Sequence, residues 1–179
     1  MKNLTDIVNE KLVLNRSTKQ EYNYHPKEKD ELKSLLKQLL KERGNDVDLN
    51  DIDVSKITNM SWLFDGLDPH EIDISGWNVS NVETMTGMFY QCHHLDCDIS
   101  SWDVSKVTDM RGMFYYCTNF NCDLSSWDVS NVKNMPGMFY NCKKFDCDLS
   151  KWDVSDLTDT DAMFRGCDSL KNKPEWAQK

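Results

Sequence analysis

Apolar positions recur along the chain at one fixed interval. Trp77, Trp102, Trp127 and Trp152 stand 25 residues apart without an insertion. Val54, Val79, Val104, Val129 and Val154 form a second column, and Phe64, Phe89, Phe114, Phe139 and Phe164 a third, each Phe preceded by Leu63 or a Met. Ser55, Ser80, Ser105, Ser130 and Ser155 keep the same register, so five units run from Asp53 to Ala177. A constant period of this length predicts a solenoid, in which each unit buries its apolar edge only against its neighbours.

Within one unit, Met85, Met88, Phe89 and Cys92 fall at i, i+3, i+4 and i+7. That spacing predicts a helix of about two turns, too short to stand without stacking. The column Asn59, Thr84, Asp109, Asn134 and Asp159 precedes it with side chains suited to N-capping, and Pro136 sits where a missing amide costs nothing. Leu95, Cys97 and Ile99 then alternate with Asp96 and Asp98, as do Phe120, Cys122 and Leu124 and Phe145, Cys147 and Leu149 in later units. Such alternation predicts a half-buried strand. The expected fold class is an α/β repeat solenoid, a right-handed, leucine-rich-repeat-like arc of five 25-residue units with strands on one face and helices on the other.

Upstream, Leu32, Leu35, Leu36, Leu39 and Leu40 repeat at helical spacing, with Glu28, Asp30 and Glu31 in the first turn and Gly44 just past Arg43. They predict a helix over about 27–43, whose leucine face covers the open edge of the first unit; docking to a partner is the competing role. Leu12, Val13 and Leu14 offer a further strand. The domain plan is a cap over 1–52, repeats over 53–177, the last unit being a degenerate cap, and a tail over 178–179.

The apolar order of the units resembles the BspA-like leucine-rich repeats of bacterial surface proteins, and more closely their 25-residue form in mycoplasma lipoproteins. The stretch Asp103-Val104-Ser105-Lys106-Val107-Thr108-Asp109-Met110-Arg111-Gly112-Met113-Phe114-Tyr115-Tyr116-Cys117 follows that pattern throughout, and the likeness spans about residues 51–170. Cys97, Cys122 and Cys147 stand where the pattern more usually has a polar residue. The resemblance implies the solenoid fold and a role in adhesion or protein interaction.

Charge narrows the partners. The 179 residues carry 21 basic and 30 acidic side chains, a net charge of −9. Residues 1–52 hold ten of each, so the whole excess lies in the repeats. Such acidity argues against direct nucleic-acid binding and for a partner with a basic surface. No apolar run is long enough for a membrane span, and the first residues lack the apolar core of a signal peptide. The chain as written is therefore expected in the cytoplasm, or at the surface or secreted if a signal has been removed, and as a monomer.

The seven cysteines fall into two repeat columns, Cys92, Cys117, Cys142 and Cys167, and Cys97, Cys122 and Cys147. Periodicity accounts for both as reduced, buried thiols, with disulfide stapling between rungs and a metal site at Cys92, His93, His94 and Cys97 as weaker readings. Two acidic columns remain. Asp53, Asp103, Asp128 and Asp153, with Asn78 in register, are placed to turn back onto local amides. Asp73, Asp98, Asp123 and Asp148 would repel one another at rung spacing, so they are expected to be exposed, neutralised by amides or matched by a cation; calcium is the weakest of these readings. Nucleotide loops, nucleophile elbows and periodic histidines are all lacking, so neither catalysis nor a cofactor nor a resident metal is expected. The expected product is a non-enzymatic protein-interaction module whose strand face presents Asp73, Asp96, Asp98, Asn121, Asp123, Asp146 and Asp148. An acidic mimic of nucleic acid that blocks a DNA-binding enzyme is the alternative.

Overall fold

The computed structural model describes residues 21–157 and 159–177. The suggested strand at Leu12, Val13 and Leu14 lies outside them. Helix α1 spans Lys29–Arg43, and strands β1 (Val47–Asp48) and β2 (Ile72–Asp73) pair in parallel, with Val47 opposite Ile72. A short 3-10 helix follows at Glu175–Ala177.

Local chemistry sets both ends of α1. The Glu31 carboxylate reaches back to the Lys27 amide at 2.8 Å. At the other end Gly44, at φ 93°, donates its N–H to the Leu40 carbonyl, a left-handed exit that glycine takes without a Cβ penalty. Leu32, Leu36, Leu39 and Leu40 are buried in one continuous core with Ile52 and with Ile57 and Leu63 of the first unit. Arg43 pins the far end of the helix by a 3.0 Å ion pair to Asp51, which also lowers that carboxyl's pKa.

From there the chain stacks on itself with the 25-residue interval. Parallel pairing links Asn59, Thr84, Asp109, Asn134 and Asp159 in succession. Phe89, Phe114, Phe139 and Phe164 stack in sequence at 5.5–5.7 Å between centroids, and Trp77 lies parallel to Trp102 at 6.4 Å. Each buried indole N–H donates to a carbonyl 28 residues back, Trp77 to Leu49 of the cap and Trp102, Trp127 and Trp152 to Ile74, Ile99 and Leu124 of the preceding unit. Burying a tryptophan requires such a partner for its N–H, and here it also fixes the spacing of units.

The segment expected to be a helix in each unit is not one. Among the described residues the repeats contain no α-helix. The amides of Met85, Gly87, Phe89 and Gln91 instead donate to the carbonyls of Asp109, Arg111, Met113 and Tyr115 in the next unit, while Met88, Tyr90 and Cys92 close turns three residues back. Two left-handed columns impose this course. Trp62, Gly87, Gly112, Gly137 and Ala162 have φ of 53–61°, and Gln91, Tyr116 and Asn141 have φ of 57–62°. One left-handed residue inside an eight-residue segment interrupts the right-handed helix, and two exclude it. The residues read as N-caps keep a related task, since Asn59, Asp109 and Asp159 accept the amides of Ser61, Arg111 and Asp161 at the head of a turn.

The segment expected to be a strand alternates in burial, with Leu95, Cys97 and Ile99 inside and Asp96 and Asp98 outside. Among the described residues its backbone bridges lie in the early units, at Val47–Ile72, Asp48–Asp73 and Glu71–Asp96, while later units keep single bonds at its head, from the amides of Asn119, Lys144 and Ser169 to the carbonyls of His93, Thr118 and Lys143. In later units side-chain atoms take the amides: Asn121 Oδ1 accepts from Asp146, Asp146 Oδ1 from Lys171, and Cys147 Sγ from Leu124. The regular ladder therefore lies along the segment expected to be helical.

Candidate partner-binding groove

An open groove of about 390 Å³ lies over the last complete units, lined by Asn121, Cys122, Asp123, Ser125, Asp146, Cys147, Asp148 and Lys151. Four of the seven residues expected at a binding face line it together: Asn121, Asp123, Asp146 and Asp148. Asp73, Asp96 and Asp98 are also exposed but stand one to three units earlier in the same columns and are not part of its wall.

The Asp73 column is neutralised by amides, one of the three outcomes expected of it, through the same turn as the Asp53 column. Asp73, Asp98, Asp123 and Asp148 each accept the amide of the serine two residues on, at 2.9–3.0 Å, through Oδ1. Ser75 and Ser100 add their hydroxyls to the same oxygen. Asp103, Asp128 and Asp153 do the same with Ser105, Ser130 and Ser155. These short loops are the geometry in which aspartate mimics a turn. The serine contacts lower the pKa values of Asp73, Asp98, Asp123 and Asp148, and at Asp98 the Ser100 contacts outweigh repulsion from Asp73. Amides and hydroxyls thus compensate the like charges of this column. Asp123 is held through Oδ1 by the Ser125 amide and the Cys147 thiol, and Asp148 through Oδ1 by the Ser150 amide, and both residues line the groove.

Asp146 is engaged differently. Lys171, 25 residues further in the same column, sends its ammonium to Asp146 Oδ2 at 2.8 Å and its amide to Oδ1 at 3.2 Å. The contact lowers the Asp146 pKa and raises that of Lys171.

The cysteines are free and buried, and six of the seven donate to a polar partner. Cys117, Cys142 and Cys167 donate S–H to the carbonyls of Phe89, Phe114 and Phe139 at 2.9 Å. Cys122 and Cys147, at the floor of the groove, donate to Asp98 and Asp123 of the preceding unit. The set Cys92, His93, His94 and Cys97 does not converge, because Cys92 points inward to the Phe64 carbonyl, His93 turns to the Tyr116 carbonyl and His94 to Asp68.

A ladder of aromatic side chains forms a second surface feature. Tyr90, Tyr115 and Tyr140 stack at 5.0 and 4.6 Å, with Trp62 against one end and the Arg165 guanidinium over the other. Trp62 is 42% exposed, the one large apolar side chain left open among the described residues. The signal for this ladder was a tyrosine following the Phe column at the same 25-residue interval.

A family model described as a Mycoplasma protein of unknown function, DUF285, matches residues 31–122 and again 58–177. The two matches together span most of the chain, and the chain belongs to this family. Neither the curated proteins nor the solved structures returned a match. No helix among the described residues is long and apolar enough to cross a membrane.

Proposed function

We propose that this DUF285 chain is a non-enzymatic interaction module that holds a basic segment of a protein partner in the groove between Asn121 and Lys151. Its scaffold is a right-handed arc of the BspA-like leucine-rich-repeat type, capped by α1, acting as a monomer. The observation that carries this reading is the setting of Asp123 and Asp148: each is fixed by a turn through Oδ1, and both line an open groove. Fixed carboxylates bind a cation without the entropy of ordering a flexible side chain. Lys171 illustrates the accepted chemistry, because it occupies Asp146 as an incoming lysine would occupy Asp123 or Asp148.

The test is the variant Asp98→Asn, Asp123→Asn, Asp148→Asn. Asparagine keeps the Oδ1 acceptor and removes the charge, and Asn78 already makes this turn in the chain, accepting Ser80 N–H and O–H at 3.2 and 2.7 Å. The variant should melt at neutral pH as the wild type does. A partner captured by the wild type should be lost, and its association should slow as salt rises. Capture undiminished by the variant would overturn the reading. Displacement of duplex DNA from a captured DNA-binding enzyme would favour mimicry of nucleic acid instead.

A further inference from the structure

The four histidines of the chain are His25, His70, His93 and His94, and two of them meet. The rings of His70 and His94 lie 4.7 Å apart between centroids, tilted at 47°. Asp68 stands beside them, with Oδ2 3.0 Å from His94 Nδ1 and Oδ1 accepting the His94 amide at 3.4 Å. One ligand atom from each of Asp68, His70 and His94 falls within 4.8 Å of the others. A further carboxylate, Asp46, is 3.9 Å from His70 Nδ1.

We propose that Asp68, His70 and His94 form a surface site for a divalent transition-metal ion of the zinc class. Two imidazoles and one carboxylate are a donor set that zinc, nickel or copper accepts, whereas calcium and magnesium require oxygen alone. Zinc bonds of about 2.0–2.1 Å in tetrahedral geometry set ligand atoms roughly 3.3 Å apart. The 3.0 Å Asp68–His94 edge already approaches that spacing, and the His70 ligand atom, within 4.8 Å of the other two on a partly exposed side chain, has to move in by no more than about 1.5 Å. The ion would take the place of the direct Asp68–His94 contact, leaving its fourth position open to water or to a partner's side chain.

The backbone holds the three residues ready. His70 donates its amide to the Asn45 carbonyl and accepts the Asp96 amide, and Asp68 is tied to the His94 amide. Stacking does not require histidine here. The positions equivalent to His94 in the later units are Asn119, Lys144 and Ser169, and His70 and His94 stand 24 residues apart, out of register with the repeat. The pair is thus an addition to the scaffold. It is also separate from the groove, none of whose lining residues belongs to it.

Zinc ion alone, titrated into the full chain by calorimetry, should bind saturably at one ion per chain. His70→Ala and His94→Ala should each weaken binding by at least about tenfold, the loss that even an outer-sphere partner can cause. Cys92→Ser should leave it unchanged. In the unmutated chain, zinc should shift the ring resonances of His70 and His94 and spare those of His25 and His93, a readout that holds even if a variant fails to fold. The cobalt form should lack thiolate-to-metal charge-transfer absorption. The proposal is overturned by absence of saturable binding, by binding indifferent to both alanine variants, or by a thiolate band.

Discussion

The amide of Leu124 donates to the sulfur of Cys147, 23 residues later, at 3.2 Å. A backbone N–H inside a stack of strands normally meets a carbonyl, so here a side chain substitutes for the ladder. Burial pushes the Cys147 thiol up to about 11, so the sulfur keeps its proton at neutral pH and donates it to Asp123 while accepting from Leu124. Cys147→Ala should leave the Leu124 amide unpaired and cost about 1–3 kcal/mol. Urea denaturation measures this, and an unchanged midpoint would show that another acceptor reaches the amide.

Phe114 is fully buried, stacked on Phe89 and Phe139 and 4.1 Å from Phe120. Phe114→Ala should cost about 3–5 kcal/mol by opening a cavity between two units. A shift in melting of only a degree or two would mean that neighbouring rings close the gap.

Ala162 carries φ 53° in the column where three other units have glycine. Ala162→Gly should raise stability by about 1 kcal/mol, the strain of an L-residue in the left-handed region. Gly112→Ala should lower it by a similar amount, because the added Cβ would approach only Tyr115 Cβ, at an unstrained 3.7 Å. Equal melting of all three proteins would refute a left-handed requirement at this position.

Stability should fall in acid for a specific reason. The serine contacts lower the pKa values of Asp73, Asp98, Asp103, Asp123 and Asp148. A lowered carboxyl stabilises the fold fully above its unfolded value near 4 and loses that contribution as pH falls through the folded value. Melting curves of the wild type should therefore drop below about pH 4 more steeply than those of the Asp98→Asn, Asp123→Asn, Asp148→Asn variant. Parallel curves would show that these turns hold equally well when protonated.

Removing residues 1–50 takes away Leu32, Leu36 and Leu39, all fully buried members of the core that also holds Ile52, Ile57 and Leu63. The truncated chain should aggregate, as light scattering would report. A soluble, cooperatively melting fragment would free α1 for some task other than capping.

The sequence by itself determined the 25-residue interval, the buried columns and α1, because each depends on spacing and composition within one segment. Leucines at helical spacing with an exit glycine give α1 at Lys29–Arg43 without reference to anything distant. The placement of Asn121, Asp123, Asp146 and Asp148 along one wall was legible too, since residues 25 apart stack at equivalent positions. Tertiary structure decided where the backbone hydrogen bonds go. Burial of Met85, Met88, Phe89 and Cys92 on one side is compatible with a helix and with a turning strand alike, and the contest is settled by carbonyls of the next unit, Asp109 to Tyr115, that exist only once units stack. Gly87 marked the alternative, yet its left-handed φ has meaning only beside Gln91, which no propensity assigns to that region. Likewise, Asp98 and Asp103 look alike in sequence, and only the fold shows that both turn onto a serine two residues on. The meeting of His70 with His94 lies furthest from sequence, because it breaks the period, and proximity across units cannot be read where the register that defines it is missing.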